Sequence, residues 1–174
     1  MAYKKEYRKQ YKGPKEDFDH RKGLELYKKR KYEEALLCFK KSIEKQTDYL
    51  ARSIFFVGKI YSIQKRYKEA EKEFKKCIEI DRENKHARLE LGRLYARQEG
   101  REEEAEKEFK KYIEIDKDRT PHARLELGRL YARQEGREEE AEKEFKKCIE
   151  IDRENKHARL ELGRLYARQE GREE

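Results

Sequence analysis

The chain has 174 residues, 49% charged and only 34% hydrophobic, and its 47 lysines and arginines against 39 aspartates and glutamates leave a net charge of +8. That balance excludes a single deep globular core and leaves disorder, a long solvated helix, or a stack of thin helical layers that each bury one stripe. No run approaches the roughly 20 apolar residues that a bilayer span requires, and the first residues lack the apolar core of a secretory signal, so the expected compartment is the cytoplasm.

Residues 1–15, MAYKKEYRKQYKGPK, form a basic extension with three interleaved tyrosines. From residue 16 onward glycines recur at Gly23, Gly58, Gly92, Gly128 and Gly163, at intervals of 35, 34, 36 and 35. The stretch HARLELGRLYARQEG begins at His86, at His122 and again at His157. A fixed period of this length marks a repeat array, with approximate units 16–49, 50–83, 84–119 and 120–154 and a single helix over 155–171.

Within a unit the first helix carries Leu89, Leu91, Leu94 and Tyr95 and closes near Gly100, a residue suited to the left-handed turn after a helix. The second, REEEAEKEFKKYIEID, places Ala105, Phe109, Tyr112 and Ile113 on one face, with glutamates in the opening turn and lysines toward the end, as the helix dipole favours. Asn84, Thr120 and Asn155 read as N-caps, and Pro121 falls at a first helical position where its missing N–H is harmless. A glycine inside a helix costs about 1 kcal/mol relative to alanine. Its return in every first helix therefore predicts a helix approach too close for a Cβ. One hairpin leaves its outer faces uncovered, so the core must come from stacking units.

These residues resemble the tetratricopeptide repeat pattern. KGLELYKKRKYEEALLCFKKSI carries it through Gly23, Tyr27, Tyr32, Ala35, Phe39 and Ser42, and VGKIYSIQKRYKEAEKEFKKCI through Gly58, Tyr61, Tyr67, Ala70, Phe74 and Cys77. Later units repeat it through Gly92, Tyr95, Ala105, Phe109 and Tyr112, then Gly128, Tyr131, Ala141, Phe145 and Cys148. Departures are the loss of the proline after the second helix, replaced by Arg82, Lys117 and Arg153, and one extra residue in the turn around Glu99 and Glu135. The resemblance implies an all-α, right-handed α-solenoid of antiparallel helix pairs whose first helices line a concave groove. Groove-facing positions then map to His86, Leu89, Arg93, Ala96 and Arg97, to His122, Leu125, Arg129, Ala132 and Arg133, and to His157, Leu160, Arg164, Ala167 and Arg168, with Lys59 standing where Arg93 stands.

No P-loop, zinc-protease motif or nucleophile with a base is present, so catalysis is not expected and no cofactor is implied. The recurring histidines occupy one position in successive layers about 8 to 10 Å apart, too far to share a zinc ion, and they read as exposed first-turn residues. Cys38, Cys77 and Cys148 include no C-x-x-C pair and read as small packing residues, so no metal site is expected. Tyr112, bulkier than the cysteines at its position, is expected to push the next unit away, with the added residue near Asp118 to Thr120 accommodating it.

The arginine row supports a scaffold that binds an acidic peptide or protein segment, since guanidiniums pair bidentately with carboxylates and phosphates. Against this stands a solvated face, with Glu90 three residues before Arg93 as a local partner. Layers about 10 Å apart against about 3.3 Å per extended residue put ligand acids at roughly every third position. Nucleic acid is the runner-up, supported by the basic extension. The carboxylate clamp of chaperone-binding relatives is absent, because Leu24 and Phe56 occupy its asparagine positions. Residues 69–103 and 140–174 are identical, so recent duplication or deliberate engineering copied them, and a scaffold without a ligand of its own is the third reading. In the last helix Leu162, Gly163 and Tyr166 lack a partner helix, which predicts fraying or self-association.

Overall fold

The computed structural model describes residues 17–45, 49–117 and 120–173, so the basic extension of residues 1–15 and Asp118 lie outside the described residues. Among the described residues there are nine α-helices and no strand. In chain order they are α1 (Phe18–Lys28), α2 (Tyr32–Glu44), α3 (Leu50–Ile63), α4 (Tyr67–Ile80), α5 (Lys85–Tyr95), α6 (Glu102–Ile115), α7 (Pro121–Tyr131), α8 (Glu138–Ile151) and α9 (Lys156–Glu173). They fall into two compact units, the first ending at Lys76 and the second beginning at Cys77, within α4.

In the first unit α1 pairs with α2 and α3 with α4, and both pairs close on the same contact. A Cβ on Gly23 would stand 2.7 Å from the Phe39 ring and one on Gly58 2.8 Å from Phe74, distances no real Cβ tolerates. The glycine therefore exists to admit a phenylalanine, and burying each ring contributes about 1.5–3 kcal/mol. The hairpin turns put non-glycine residues in the left-handed region, Arg30 at φ 59° and Lys65 at φ 61°.

A polar chain also runs through this unit's interior. The Asp17 carboxylate caps α1, accepting from the Asp19 and His20 backbone N–H groups at 3.0 and 3.3 Å, and accepts from the Ser42 hydroxyl. Ser42 Oγ lies 2.9 Å from Ser53 Oγ, which lies 2.7 Å from His20 Nδ1. Burial, reinforced by the positive charge of Arg52 and opposed by Asp17, holds the His20 imidazole down at a pKa of about 4, so it is neutral at physiological pH. His20 Nε2 is buried without a partner.

The second unit repeats the hairpin in α5–α6 and α7–α8. Its glycines approach phenylalanine still more closely, with ideal Cβ positions at Gly92 and Gly128 each 2.6 Å from the Phe109 and Phe145 rings. The longer turns bring Gly100 to φ 79° and Gly136 to φ 77°, as the sequence predicts. Asn84 and Asn155 cap α5 and α9, each side-chain oxygen accepting a backbone N–H at 3.0 Å. Thr120 is a correction: it stands at the N-cap of α7, but its hydroxyl makes no capping bond and is buried without a partner. Tyr112 packs in the core at 4% exposure.

Three of the helix pairs, α3–α4, α5–α6 and α7–α8, are also locked from outside by an arginine stacked on the first helix's tyrosine. The guanidinium carbons of Arg101 and Arg137 lie 4.0 and 3.9 Å from the Tyr95 and Tyr131 ring centroids, and in the first unit Arg66 lies 4.3 Å from Tyr61. Cys38, Cys77 and Cys148 are all buried, and none is in a disulfide with another described residue. Burial, aided by the adjacent Asp81 and Asp152 charges, pushes the Cys77 and Cys148 thiols up to about 12 and about 11, which makes them packing residues rather than nucleophiles.

Candidate functional site

In the second unit the first helices α5, α7 and α9 lie side by side, and the C-terminal ends of α5 and α7 together with the middle of α9 open a groove of about 750 Å³. Arg93, Arg97, Arg129, Arg133, Arg164 and Arg168 line it together with Glu126 and Glu161, six cations against two anions. Ala96, Leu130, Ala132 and Ala167 form its floor. The arginines that the sequence singles out therefore do share one surface.

They form two rows with different chemistry. The inner row is spent on the next layer: Arg93 Nε donates to Glu126 at 2.9 Å, and Arg129 Nε donates to Glu161 at 3.0 Å. Within their own helices the contacts are longer, Arg93 to Glu90 at 3.4 Å and Arg129 to Glu126 at 3.8 Å. The local partner expected for Arg93 is thus real, but the closer carboxylate lies one repeat away. Among the described residues Arg164 meets only Glu161, at 3.6 Å, and is more open than the other two.

Among the described residues the outer row meets no carboxylate. Arg133 donates to the Ala96 carbonyl at 3.4 Å and Arg168 to the Ala132 carbonyl at 3.1 Å, each satisfying a last-turn carbonyl of the preceding first helix. Arg97 meets no carboxylate among the described residues. Because a guanidinium carries five N–H donors, all three retain free ones directed to solvent or ligand, and Arg97, Arg133 and Arg168 are exposed.

The remaining expected residues lie elsewhere. His86, His122 and His157 are exposed in first turns, as expected, but do not line the groove. Leu89 and Leu125, expected on the wall, are core residues at 7% and 6% exposure, a correction with a simple cause: they sit at the edge of the apolar stripe that the helix pair closes over. Leu160, in the same position of α9, is 52% exposed. Lys59 belongs to the first unit, where its ammonium stands 5.8 Å from the Phe55 ring centroid. Glu126 and Glu161 are the groove residues that sequence reasoning missed. Their signal was the recurrence of Glu three residues before each arginine, read as a pairing within one helix when the repeat period brings it opposite the preceding layer.

No cluster of histidine, cysteine or carboxylate among the described residues could hold a metal ion. None of the described helices is long and apolar enough to cross a membrane.

The family pattern described as tetratricopeptide repeat matches this sequence over residues 63–130 and again over residues 121–155. Among solved structures, the chain resembles YrrB, a TPR protein with an unusual peptide-binding site, at 24% identity and a TM-score of 0.70 over 99% of this chain and 86% of that one. A MamA fragment from Desulfovibrio magneticus RS-1 aligns with a TM-score of 0.76 at 15% identity, covering 91% of this chain and 88% of that one. The first TPR of Spaghetti (RPAP3), bound to the HSP90 peptide SRMEEVD, aligns with a TM-score of 0.63 at 21% identity over 68% of this chain and 92% of that one. No curated protein sequence matches the chain. A glycine in each of four first helices receives a phenylalanine from its partner helix, and the family pattern is matched across residues 63–155, so this chain belongs to the tetratricopeptide repeat family.

Proposed function

We propose that this protein is a non-enzymatic interaction scaffold of the cytoplasm whose groove binds an acidic peptide or protein segment through Arg97, Arg133 and Arg168. The observation that supports this reading most is the division of labour between the two rows. Glutamates neutralise Arg93 and Arg129, while among the described residues the outer arginines meet no carboxylate, and so carry the surplus positive charge of the groove. Arginine in this state offers bidentate, charge-assisted bonds to a carboxylate. One arginine per layer, about 10 Å apart, suits an extended ligand with an acid at roughly every third residue. The peptide held by the Spaghetti TPR structure is itself acidic, SRMEEVD.

The test is fluorescence anisotropy with a labelled peptide carrying glutamate at every third position, against one of the same composition in scrambled order. The spaced peptide binds more tightly, and its affinity falls as salt rises. Changing Arg97, Arg133 and Arg168 to Glu abolishes binding, whereas Arg93→Gln and Arg129→Gln weaken it only slightly. Equal affinity for both peptides, or loss only in the inner-row variants, refutes the reading. Recovery of RNA on the intact chain, lost in the outer-row variant, would support the nucleic-acid alternative instead.

A further inference from the structure

The two arginine rows differ in the direction they reach along the stack as well as in what they meet. Each inner arginine reaches forward, Arg93 of α5 to Glu126 of α7 and Arg129 of α7 to Glu161 of α9. The outer ones reach back. Arg133 of α7 donates to the Ala96 carbonyl at the end of α5, and Ala96 is the residue before Arg97. Arg168 of α9 donates to the Ala132 carbonyl at the end of α7, and Ala132 is the residue before Arg133. The unpaired carbonyls at a helix C-terminus carry a partial negative charge that draws a cation. Here the cation so drawn arrives at a helix end from which another outer arginine already projects into the same groove. The outer row is therefore gathered in pairs, Arg97 with Arg133 and Arg133 with Arg168.

Like charges gathered this way repel, and the groove does not offset them. Its six arginines face two glutamates, a surplus of four positive charges, and both glutamates are engaged by the inner row. A carboxylate brings one negative charge and two oxygens, which suits a single guanidinium fork. A phosphate monoester brings close to two charges at neutral pH and three acceptor oxygens, enough to accept from two guanidiniums at once. The floor beside the pairs is made by Ala96, Ala132 and Ala167, whose methyl side chains leave room for a tetrahedral head.

We propose that Arg97 and Arg133 together hold a phosphate carried on a serine or threonine of the bound segment, and that Arg133 and Arg168 offer a second such place one layer on. This rests on the reading of the groove as a peptide site and names the acid that it selects. Two phosphates carry about four negative charges between them, which matches the surplus of the groove. Layers about 10 Å apart against about 3.3 Å per extended residue set the two phosphorylated positions three residues apart.

The experiment is fluorescence anisotropy on the full chain with three labelled peptides of one sequence, holding phosphoserine, glutamate or serine at two positions three residues apart. At about pH 7.5 the phosphoserine peptide binds at least about tenfold more tightly than the glutamate peptide, and the serine peptide binds least. At about pH 5 the phosphate, whose second pKa is about 6, falls to one charge while the peptide's glutamates keep theirs, and the advantage shrinks to under about threefold. No histidine lines the groove, so that loss is read at the phosphate. Arg97→Gln or Arg133→Gln also cuts the advantage to under about threefold, with circular dichroism unchanged because both side chains are exposed; Lys111→Gln, at an exposed position of α6, leaves it intact. Equal affinity for the phosphoserine and glutamate peptides, with the serine peptide bound weakly, overturns this proposal and leaves the acidic-segment reading standing. Absence of binding by all three overturns both. Displacement of the phosphoserine peptide by inorganic phosphate at equal concentration overturns it by assigning the pairs to the free ion, and displacement by an RNA oligonucleotide at equal concentration overturns it by assigning the groove to nucleic acid.

Discussion

Residues 85–102 and 156–173 share one sequence, KHARLELGRLYARQEGRE, and fold in two ways. In the first, the helix stops at Tyr95 and the chain turns through Gly100 at φ 79°; in the second, it continues unbroken through all eighteen residues to Glu173. Local propensity cannot separate them, since it is the same in both. What differs is company: Phe109 fills the space over Gly92 and Glu108 holds Arg88, while no described residue comes within 4 Å of a Cβ on Gly163. A glycine permits the left-handed turn, and the packing of the next helix requires it.

The sharpest way to break this comparison is to remove the packing. Phe109→Ala should lower stability by about 3–5 kcal/mol, the usual result of emptying a buried aromatic site, whereas Tyr166→Ala on α9 should lower it by under about 1 kcal/mol; denaturant titration measures both. Glycine substitutions should then differ in sign. Gly92→Ala forces a methyl against the Phe109 ring and should destabilise by about 1–3 kcal/mol, while Gly163→Ala should stabilise α9 by roughly 0.5–1 kcal/mol. Equal effects at the two glycines would show that helix propensity, not the phenylalanine, governs the position.

Acid titration sharpens the contrast further. Burial pushes the Glu106 carboxyl up, but hydrogen bonds from Arg137, Lys110 and Tyr131 outweigh it and hold the group down at about 2. Its counterpart Glu142, bonded by Lys146 and Tyr166, is lowered as well. A carboxyl whose folded pKa is depressed stabilises the fold above its unfolded value and loses that contribution as pH falls through the folded one. For Glu106 the window runs from the ordinary value of 4.5 down to about 2. Its size is about 1–2 kcal/mol once solvent screening of the partners is allowed for. NMR titration should find Glu106 below Glu142, and Arg137→Gln should bring them together. A small effect is expected at the turn itself: Gly100→Ala should cost about 1 kcal/mol because its φ is positive.

What the sequence disclosed and withheld follows the range of each interaction. The glycine period announced a close approach, and Gly23, Gly58, Gly92 and Gly128 all make it, because each recurs at the same place within its own helix pair. Asn84 and Asn155 were readable as caps because the bond closes within three residues. Thr120 was not, since its backbone at φ −115°, ψ 33° departs from the extended geometry from which a cap side chain reaches back. Partners 32 and 33 residues away, Arg129 with Glu161 and Arg93 with Glu126, depend on how layers are offset, so the recurring Glu was readable while the layer it joins was not. The interior chain from Asp17 through Ser42 and Ser53 to His20 was invisible for the same reason, as it joins three helices.

The alternative folds open to Ala96–Gly100 also bear on how this array would come apart under tension. When a terminal hairpin is pulled off its neighbour, the strip freed at the elbow has a ready helical form, already seen in α9, so it lengthens the remaining rod instead of slackening into coil. Each rupture would then release a shorter thread than the full repeat, and the break would heal by bending the rod again as the hairpin returns.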